Sequence, residues 1–271
     1  MTNPKFVTYL HEEEELTLLE NTNGQLTAVN VANVGFQIIA GSPALTLNGE
    51  PFSMSLALYN ALDYLQSVGT KTFITLGGPG SAYKTLFEYY NETYPILKSQ
   101  IVEWRFNGID LDVADPASLK DIKMLIGDLR NDFPEDFLIT SAPQASSLIT
   151  GTDPNVNFDW LELADELDWF NAKFYNSKLG TLENTKDFED IIKRGFNPSQ
   201  VLAGMLTNPA DGSGYLNMDT ISITLFELIS IYGKEFGGIM GWEWYNAISA
   251  NGQPGPAGWA DNMSTILASA K

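Results

Sequence analysis

Short runs of β-branched and aromatic residues alternate with longer stretches of helical periodicity along the chain. This alternation is typical of βα units and predicts a parallel sheet. The predicted strands are Phe6–Leu10, Asn33–Ile39, Thr72–Leu76, Gly108–Val113, Phe137–Ser141, Trp169–Tyr175, Val201–Leu206 and Gly238–Trp242. The predicted helices are Met54–Ser67, Ala82–Trp104, Pro116–Asp132, Leu182–Arg194, Met218–Gly233 and Trp259–Ala270.

Eight predicted strands favour an α/β fold that closes into a single (β/α)8 TIM barrel over an open, doubly wound sheet. The glycine fingerprint that follows the first strand of many doubly wound folds is missing. A length of 271 residues suits one barrel, and no repeat or linker divides the chain, so we expect one domain over residues 1–271. Glycine and proline cluster at 77–80, 208–214 and 251–258, just after predicted strands. These loops therefore lie on the face where barrel enzymes carry their sites.

Composition excludes several classes of function. The chain has no cysteine and one histidine, which rules out disulfides, thiolate metal sites and multi-histidine zinc sites. A net charge of −19 argues against binding to nucleic acid or an anionic membrane. No apolar run reaches about 18 residues, so no membrane span is expected. We expect a neutral ligand such as an uncharged glycan, no metal, no cofactor and a monomer.

The compartment stays open. The first residues, MTNPKF, lack the basic and apolar regions of a signal peptide. This leaves a cytoplasmic and a secreted location as alternatives.

Candidate chemistry concentrates at residues 106–116, which read FNGIDLDVADP. Strand alternation turns Asp110, Asp112 and Ala114 toward the barrel interior. Inward carboxylates need hydrogen-bonded or charged partners, and the end of a barrel strand is where catalytic groups are placed. A structural polar network in the core is the alternative. Pro116 suits the first turn of a helix, with Asp115 as its N-cap.

Five segments, in order along the chain, carry a family resemblance. Segment 106–116 resembles the DGxDxDxE signature of glycoside hydrolase family 18, the family of chitinases and many endo-β-N-acetylglucosaminidases. Four further segments resemble strand motifs of that family: KTFITLGG at 71–78, containing Gly77 and Gly78; ITSAPQ at 139–144, ending in Gln144; FNAKFYN at 170–176; and GGIMGW at 237–242.

The resemblance implies a substrate-assisted mechanism, in which the acetamido oxygen of the sugar acts as nucleophile and the last glutamate of the signature as general acid. It assigns Asp112 to orienting the acetamido group, Asp110 to supporting Asp112, and Tyr175 to donating to the acetamido oxygen. Trp242 would form the floor under the sugar. The surrounding segments add Asn176, Lys173, Gly77, Gly78, Gln144 and Trp244 as binding candidates, Trp244 with core packing as an equal alternative.

Two departures from the family pattern bear on activity. Ala114 stands where the resemblance places the general acid, and a methyl group cannot donate a proton. Lys173 stands where the family has Gln or Met, on the inward face two residues before Tyr175. Its ammonium could pair with Asp112 or Asp110 and take the place of the acetamido group. Asn107 and Thr75 also differ from the motifs, but both still form hydrogen bonds.

The sequence therefore favours a non-hydrolytic, glycan-binding protein of the family 18 type, specific for N-acetylglucosamine-containing glycans such as chitin oligomers or an N-glycan core. Three alternatives stay open. The chain could be a hydrolase with an inactivating Glu-to-Ala change at 114, an unusual active enzyme, or a storage or structural protein without a ligand. The storage hypothesis predicts that Lys173 bonds to Asp112 and blocks the sugar site.

Overall fold

In a computed structural model that describes residues 4–10, 25–78, 80, 82–249 and 255–270, eight parallel strands form a closed barrel. Closure comes from the first strand, which pairs in parallel with both the second strand and the last. The predicted TIM barrel is confirmed. The barrel strands are β1 (Lys5–Leu10), β2 (Ala28–Ile39), β5 (Lys71–Gly77), β6 (Gly108–Asp112), β7 (Leu138–Ser141), β8 (Trp169–Lys173), β9 (Val201–Leu206) and β10 (Gly238–Trp242).

The second strand differs from its prediction. It begins at Ala28 rather than Asn33, and its first half is the barrel strand. A register shift between Val31 and Val34, with Asn33 at φ 58°, lets the strand leave the barrel wall. Its second half then pairs antiparallel with β3 (Ser42–Leu47), which pairs with β4 (Glu50–Pro51). The predicted range was therefore mostly the outer arm of a hairpin.

Helices surround the barrel. They are α1 (Leu56–Ser67), α2 (Ala82–Glu88), α3 (Tyr90–Glu103), α4 (Leu119–Asp132), α5 (Ala145–Thr150), α6 (Lys186–Lys193), α7 (Met218–Tyr232) and α8 (Pro256–Leu267). The predicted helix over 82–104 is two helices, α2 and α3, because the chain breaks at Tyr89. The six-residue α5 was not predicted, since so short a segment shows no helical period.

One capping prediction is wrong. Helix α4 begins after Ser118, whose hydroxyl accepts the N–H of Asp121. Asp115 instead accepts the N–H groups of Tyr83 and Lys84, at 3.1 and 2.8 Å, near the start of α2. Sequence proximity to Pro116 misled the prediction, because the loop carries Asp115 toward the start of α2 instead.

Apolar packing forms two layers. Side chains of Ile109, Leu111 and Val113 join the large core between barrel and helices, whereas Val7, Phe73 and their inward-pointing neighbours fill the barrel. Within the described residues no helix is long and apolar enough to cross a membrane. Loops after the strands gather on one face, although most of the 251–258 cluster lies outside the described residues.

Candidate functional site

A cleft of about 240 Å³ opens at the carboxyl ends of the barrel strands. Strands β6, β8 and β10 end at Asp112, Lys173 and Trp242, and all three side chains reach it. The residues that line the cleft are Tyr9, Asn33, Asp112, Ala142, Gln144, Lys173, Tyr175, Asn176, Met240 and Trp242. Six of the predicted site residues are therefore brought together: Asp112, Gln144, Lys173, Tyr175, Asn176 and Trp242.

Asp110 lies one layer deeper and is fully buried. Its carboxylate accepts the hydroxyls of Tyr9 at 2.7 Å and Thr140 at 2.6 Å, and the amide of Asn171 at 3.0 Å. Burial raises the pKa of Asp110, while the hydrogen bonds from Thr140 and Tyr9 oppose that shift. The oxygens of Asp110 are thus taken by donors from β1, β7 and β8 rather than shared with Asp112, and Asp110 is not among the residues that line the cleft.

Asp112 is held by an ammonium. Lys173 Nζ lies 2.7 Å from Asp112 Oδ1, and both side chains are more than four-fifths buried. Lys173 is itself fixed by the backbone, since its N–H donates to the Pro143 carbonyl at 2.9 Å. Of the two carboxylates that the sequence offered to this ammonium, Asp112 is its partner, and one oxygen of Asp112 faces Lys173 rather than the open cleft.

Tyr175 and Trp242 form two walls of the cleft. Tyr175 is 5% exposed, and burial raises the pKa of its phenol well above the usual value, with Asp112 and Asp110 adding to the shift. The phenol therefore keeps its proton and remains a hydrogen-bond donor. The indole of Trp242 is half-buried and lies 5.5 Å from the ring of Tyr9, tilted by 57°.

The two glycines at the end of β5 act through the backbone. Gly77 has φ 113°, and a Cβ there would lie 2.0 Å from the carbonyl oxygen of Asp112. Gly78 donates its N–H to the same carbonyl at 3.0 Å. Both glycines hold the end of β6 beside the cleft, and neither is among the residues that line the cleft.

Trp244 does not reach the cleft. It is fully buried, and its ring belongs to the core between barrel and helices. Of the two alternatives left open for this residue, core packing is therefore the one that the structure supports. Strand periodicity does not extend past Trp242, where β10 ends, so the sequence could not fix the direction of this side chain.

A larger groove of about 430 Å³ adjoins the cleft through Asn33, which lines both. The hairpin of β2 and β3 supplies one side of it and the end of β5 the other. Its other lining residues are Gly35, Phe36, Gln37, Thr46, Asn48, Gly49, Gly77, Gly80 and Ala82. Among the described residues, this lining carries amides, a hydroxyl, a phenyl ring and backbone but no charged side chain.

Sequence reasoning missed several cleft residues. Tyr9, Asn33 and Met240 line the cleft, and Thr140 and Asn171 bond Asp110 below it. Inward alternation on β1, β7 and β8 could have indicated the polar ones, since a buried carboxylate needs donors on neighbouring strands. Within the described residues, no cluster of histidine and acidic side chains could hold a metal ion.

Comparison with known proteins finds an endo-β-N-acetylglucosaminidase and a chitinase of similar structure. A fungal endo-β-N-acetylglucosaminidase from glycosyl hydrolase family 18 is 31% identical, over 97% of this chain and 98% of that one, with a TM-score of 0.82. The chitinase ChiC of Aspergillus fumigatus is 30% identical, over 97% and 99% of the two chains, with a TM-score of 0.83. The chain belongs to glycosyl hydrolase family 18.

One curated protein matches part of the chain. Endochitinase 3 of Metarhizium anisopliae is 28% identical over 159 residues, 55% of this family 18 chain and 50% of that protein. The match thus spans about half the length of this curated relative. No family model matches the chain.

The cleft of this family 18 barrel contains an aspartate, a tyrosine, a tryptophan and a lysine that is bonded to the aspartate. Ala114 is half-buried just beyond the end of β6 and is not among the residues that line the cleft. The individual roles of these residues stay predictions.

Proposed function

We propose that this family 18 chain binds N-acetylglucosamine-containing glycans without hydrolysing them. The observation that carries the proposal is the ion pair between Lys173 and Asp112, at 2.7 Å. Substrate assistance needs an aspartate that can contact the acetamido group, and Asp112 directs one oxygen at an ammonium instead. An N-acetyl sugar would have to displace Lys173 and leave a partly buried charge without its partner, which costs free energy.

Proton donation is the second obstacle to hydrolysis. Ala114 carries no acidic proton at the position that the family resemblance gives to the general acid. Asp115 is next to it but is 6% exposed and accepts two backbone N–H groups of α2. Asp110 is buried beneath the cleft. Loss of a positioned acid lowers a rate by about 10²–10⁴-fold.

Binding of a neutral glycan is supported by what remains in the cleft. Trp242 offers a half-exposed indole, on which the apolar face of a sugar ring can stack. The amide residues Gln144, Asn176 and Asn33 line the same cleft, and the described residues of the adjoining groove are uncharged. A glycan would then lie over Trp242 and along the groove, with its acetamido group away from Asp112.

Turnover of chitotetraose and of a high-mannose glycopeptide tests the non-hydrolytic part. The parent protein should show none. Ala114→Glu should cleave at least about 100-fold more slowly than the double variant Ala114→Glu/Lys173→Gln, which restores an acid and frees Asp112. Cleavage by the parent at a rate comparable to the double variant would overturn the proposal.

Two other functions give different results in the same experiments. If Ala114→Glu alone cleaves as fast as the double variant, the chain is a hydrolase disabled at a single position. A storage or structural protein is favoured by the same ion pair, because Lys173 closes the sugar site. It predicts no heat of binding when chitotetraose or the glycopeptide is titrated into the parent protein.

A further inference from the structure

The loop after β9 is bonded to both walls of the cleft. Residues 207–214, here called the β9 loop, follow Leu206 and contain the 3₁₀ turn Pro209–Asp211. One side of this loop meets the segment 242–248, which begins with Trp242. The other side meets Tyr175 and Asn176. None of these loop residues is among those that line the cleft.

Backbone bonds begin the connection to the Trp242 side. Thr207 donates its N–H to the Trp242 carbonyl at 2.8 Å and its hydroxyl to the Glu243 carbonyl. In return, Ile248 donates its N–H to the Thr207 carbonyl at 3.1 Å. The segment after Trp242 is thus held at both of its ends by one residue of the β9 loop.

Side chains complete the connection, and Asp211 is at its centre. The Asn246 amide donates to Asp211 Oδ1 at 2.6 Å. Asn208 donates its amide to the Asn246 carbonyl at 2.7 Å. A hydrogen bond from an amide N–H to a carboxylate is charge-assisted and therefore stronger than a neutral one.

The opposite side of the loop is bonded to the Tyr175 wall. Asn176 accepts the Ser213 N–H on its side-chain oxygen at 2.8 Å, and its own N–H donates to the Ser213 carbonyl at 2.8 Å. Gly212 permits this approach, since a Cβ there would lie 2.3 Å from the Asn176 side chain. The β9 loop therefore joins the wall that carries Trp242 to the wall that carries Tyr175.

We propose that Asp211 is a positioning residue that holds Trp242 at its place in the cleft through its bond to Asn246, in the segment that follows Trp242. It acts through this contact and is not among the residues that line the cleft. Removal of the carboxylate takes away the side-chain anchor of Asn246, while the bonds of Thr207 and Asn208 remain, so the indole shifts from the orientation in which it faces Tyr9. Any ligand that stacks on Trp242 then binds more weakly.

The experiment labels the full chain with 5-fluorotryptophan and records ¹⁹F NMR spectra. The chain has six tryptophans, and the resonance of Trp242 is assigned from Trp242→Phe. Asp211→Ala should shift or broaden the Trp242 resonance and leave that of Trp104 unchanged. Asp211→Asn keeps an acceptor oxygen and should return the Trp242 resonance close to its parent position. An unchanged resonance in a folded Asp211→Ala protein overturns the proposal.

A second experiment measures the binding of chitotriose and rests on the proposed function. Asp211→Ala should raise its Kd about tenfold and Asp211→Asn less than about threefold. The matched control is Asp261→Ala, which removes an exposed Asp–amide bond to Gln25 at 2.8 Å and should leave Kd unchanged. If the parent binds no chitotriose, the proposed function fails, while the fluorine spectra still decide the role of Asp211.

Loss of the fold in Asp211→Ala would not leave the question open. Asn246→Ala removes the donor and keeps the carboxylate, and it should displace the Trp242 resonance in the same direction. A folded Asn246→Ala protein whose Trp242 resonance matches that of the parent overturns the proposal.

Discussion

Asp110 and Asp112 are two residues apart on one strand and face the same interior, yet their partners differ in kind. Asp110 is surrounded by neutral donors from three other strands, Tyr9, Thr140 and Asn171. Asp112 meets a cation, Lys173. Neutral donors hold a carboxylate in place, whereas an ammonium at a cleft also neutralises the charge that a ligand would otherwise contact. Under the proposed function, this difference is what separates binding of a glycan from its hydrolysis.

Trp242 gives a prediction about ligand binding. Trp242→Ala should weaken chitotriose binding at least about tenfold, because stacking on the indole is the main apolar contact that the cleft offers. Isothermal titration calorimetry measures the change. Trp104→Ala, a half-buried tryptophan that packs on Tyr59 outside the barrel, is the matched control and should bind like the parent. Equal affinities for both variants would contradict stacking on Trp242.

Gly77 gives a second prediction, about stability. Gly77→Ala should lower the free energy of unfolding by about 3 kcal/mol, because its Cβ would collide with the Asp112 carbonyl at a φ of 113°. Gly127→Ala lies within α4 and meets nothing within 4 Å, so it should raise the free energy by about 0.5–1 kcal/mol. Urea unfolding compares the two. A Gly77→Ala protein as stable as the parent would show that the strand end can shift.

Among the elements, helices α3 and α4 are joined by matched polar pairs at their contact. Tyr90 donates its hydroxyl to Asp128, and Tyr94 donates to Asp132, each at 2.8 Å. The two tyrosine rings stack with centroids 5.4 Å apart. Spacing of four residues on both helices places the two pairs one turn apart, so they fix how the helices align.

The Asp132 pair makes stability depend on pH. A hydrogen bond from Lys98, and then one from Tyr94, lowers the pKa of Asp132. A carboxyl with a lowered folded-state pKa stabilises the protein above its unfolded pKa of about 3.9, and this contribution disappears as pH falls through the folded-state value. The Tm of Asp132→Asn should therefore lie below that of the parent at pH 6, and the gap should close below about pH 4. A gap that stays constant down to pH 2 would contradict this linkage.

For the whole molecule, charge is the dominant surface property. The chain carries 34 acidic and 15 basic residues, for a net charge of −19 at pH 7. A compact barrel holds these charges closer together than the unfolded chain does, so repulsion lowers its stability at low ionic strength. The described residues that line the groove beside the cleft are uncharged and differ from this acidic surface.

Salt should therefore stabilise the protein. Raising NaCl from about 20 mM to about 500 mM at pH 7 should increase Tm by a few degrees, because screening shortens the range of repulsion to less than about 5 Å. Near the sequence pI of about 4.2 the net charge vanishes, and the same addition should change Tm little. Differential scanning calorimetry at both pH values measures this. A lower Tm in high salt at pH 7 would mean that attractive ion pairs outweigh the net repulsion.

The barrel, the order of its strands and the family could all be predicted from the sequence. Alternation along a strand needs only the chain's own geometry, so the inward direction of Asp110, Asp112 and Lys173 could be predicted. The convergence of strand ends on one face is likewise a property of parallel barrels. Six of the predicted site residues therefore meet in one cleft.

Contacts between distant parts of the chain could not be predicted, because they depend on how the strands and loops pack in three dimensions. Lys173 and Asp112 are 61 residues apart, and which partner the ammonium takes depends on how β8 and β6 are staggered. The burial of Trp244, the capping of α2 by Asp115 and the hairpin arm of β2 all follow from the paths of loops beyond the strand ends. In a loop no repeating period fixes the direction of a side chain, and packing against neighbours determines it instead.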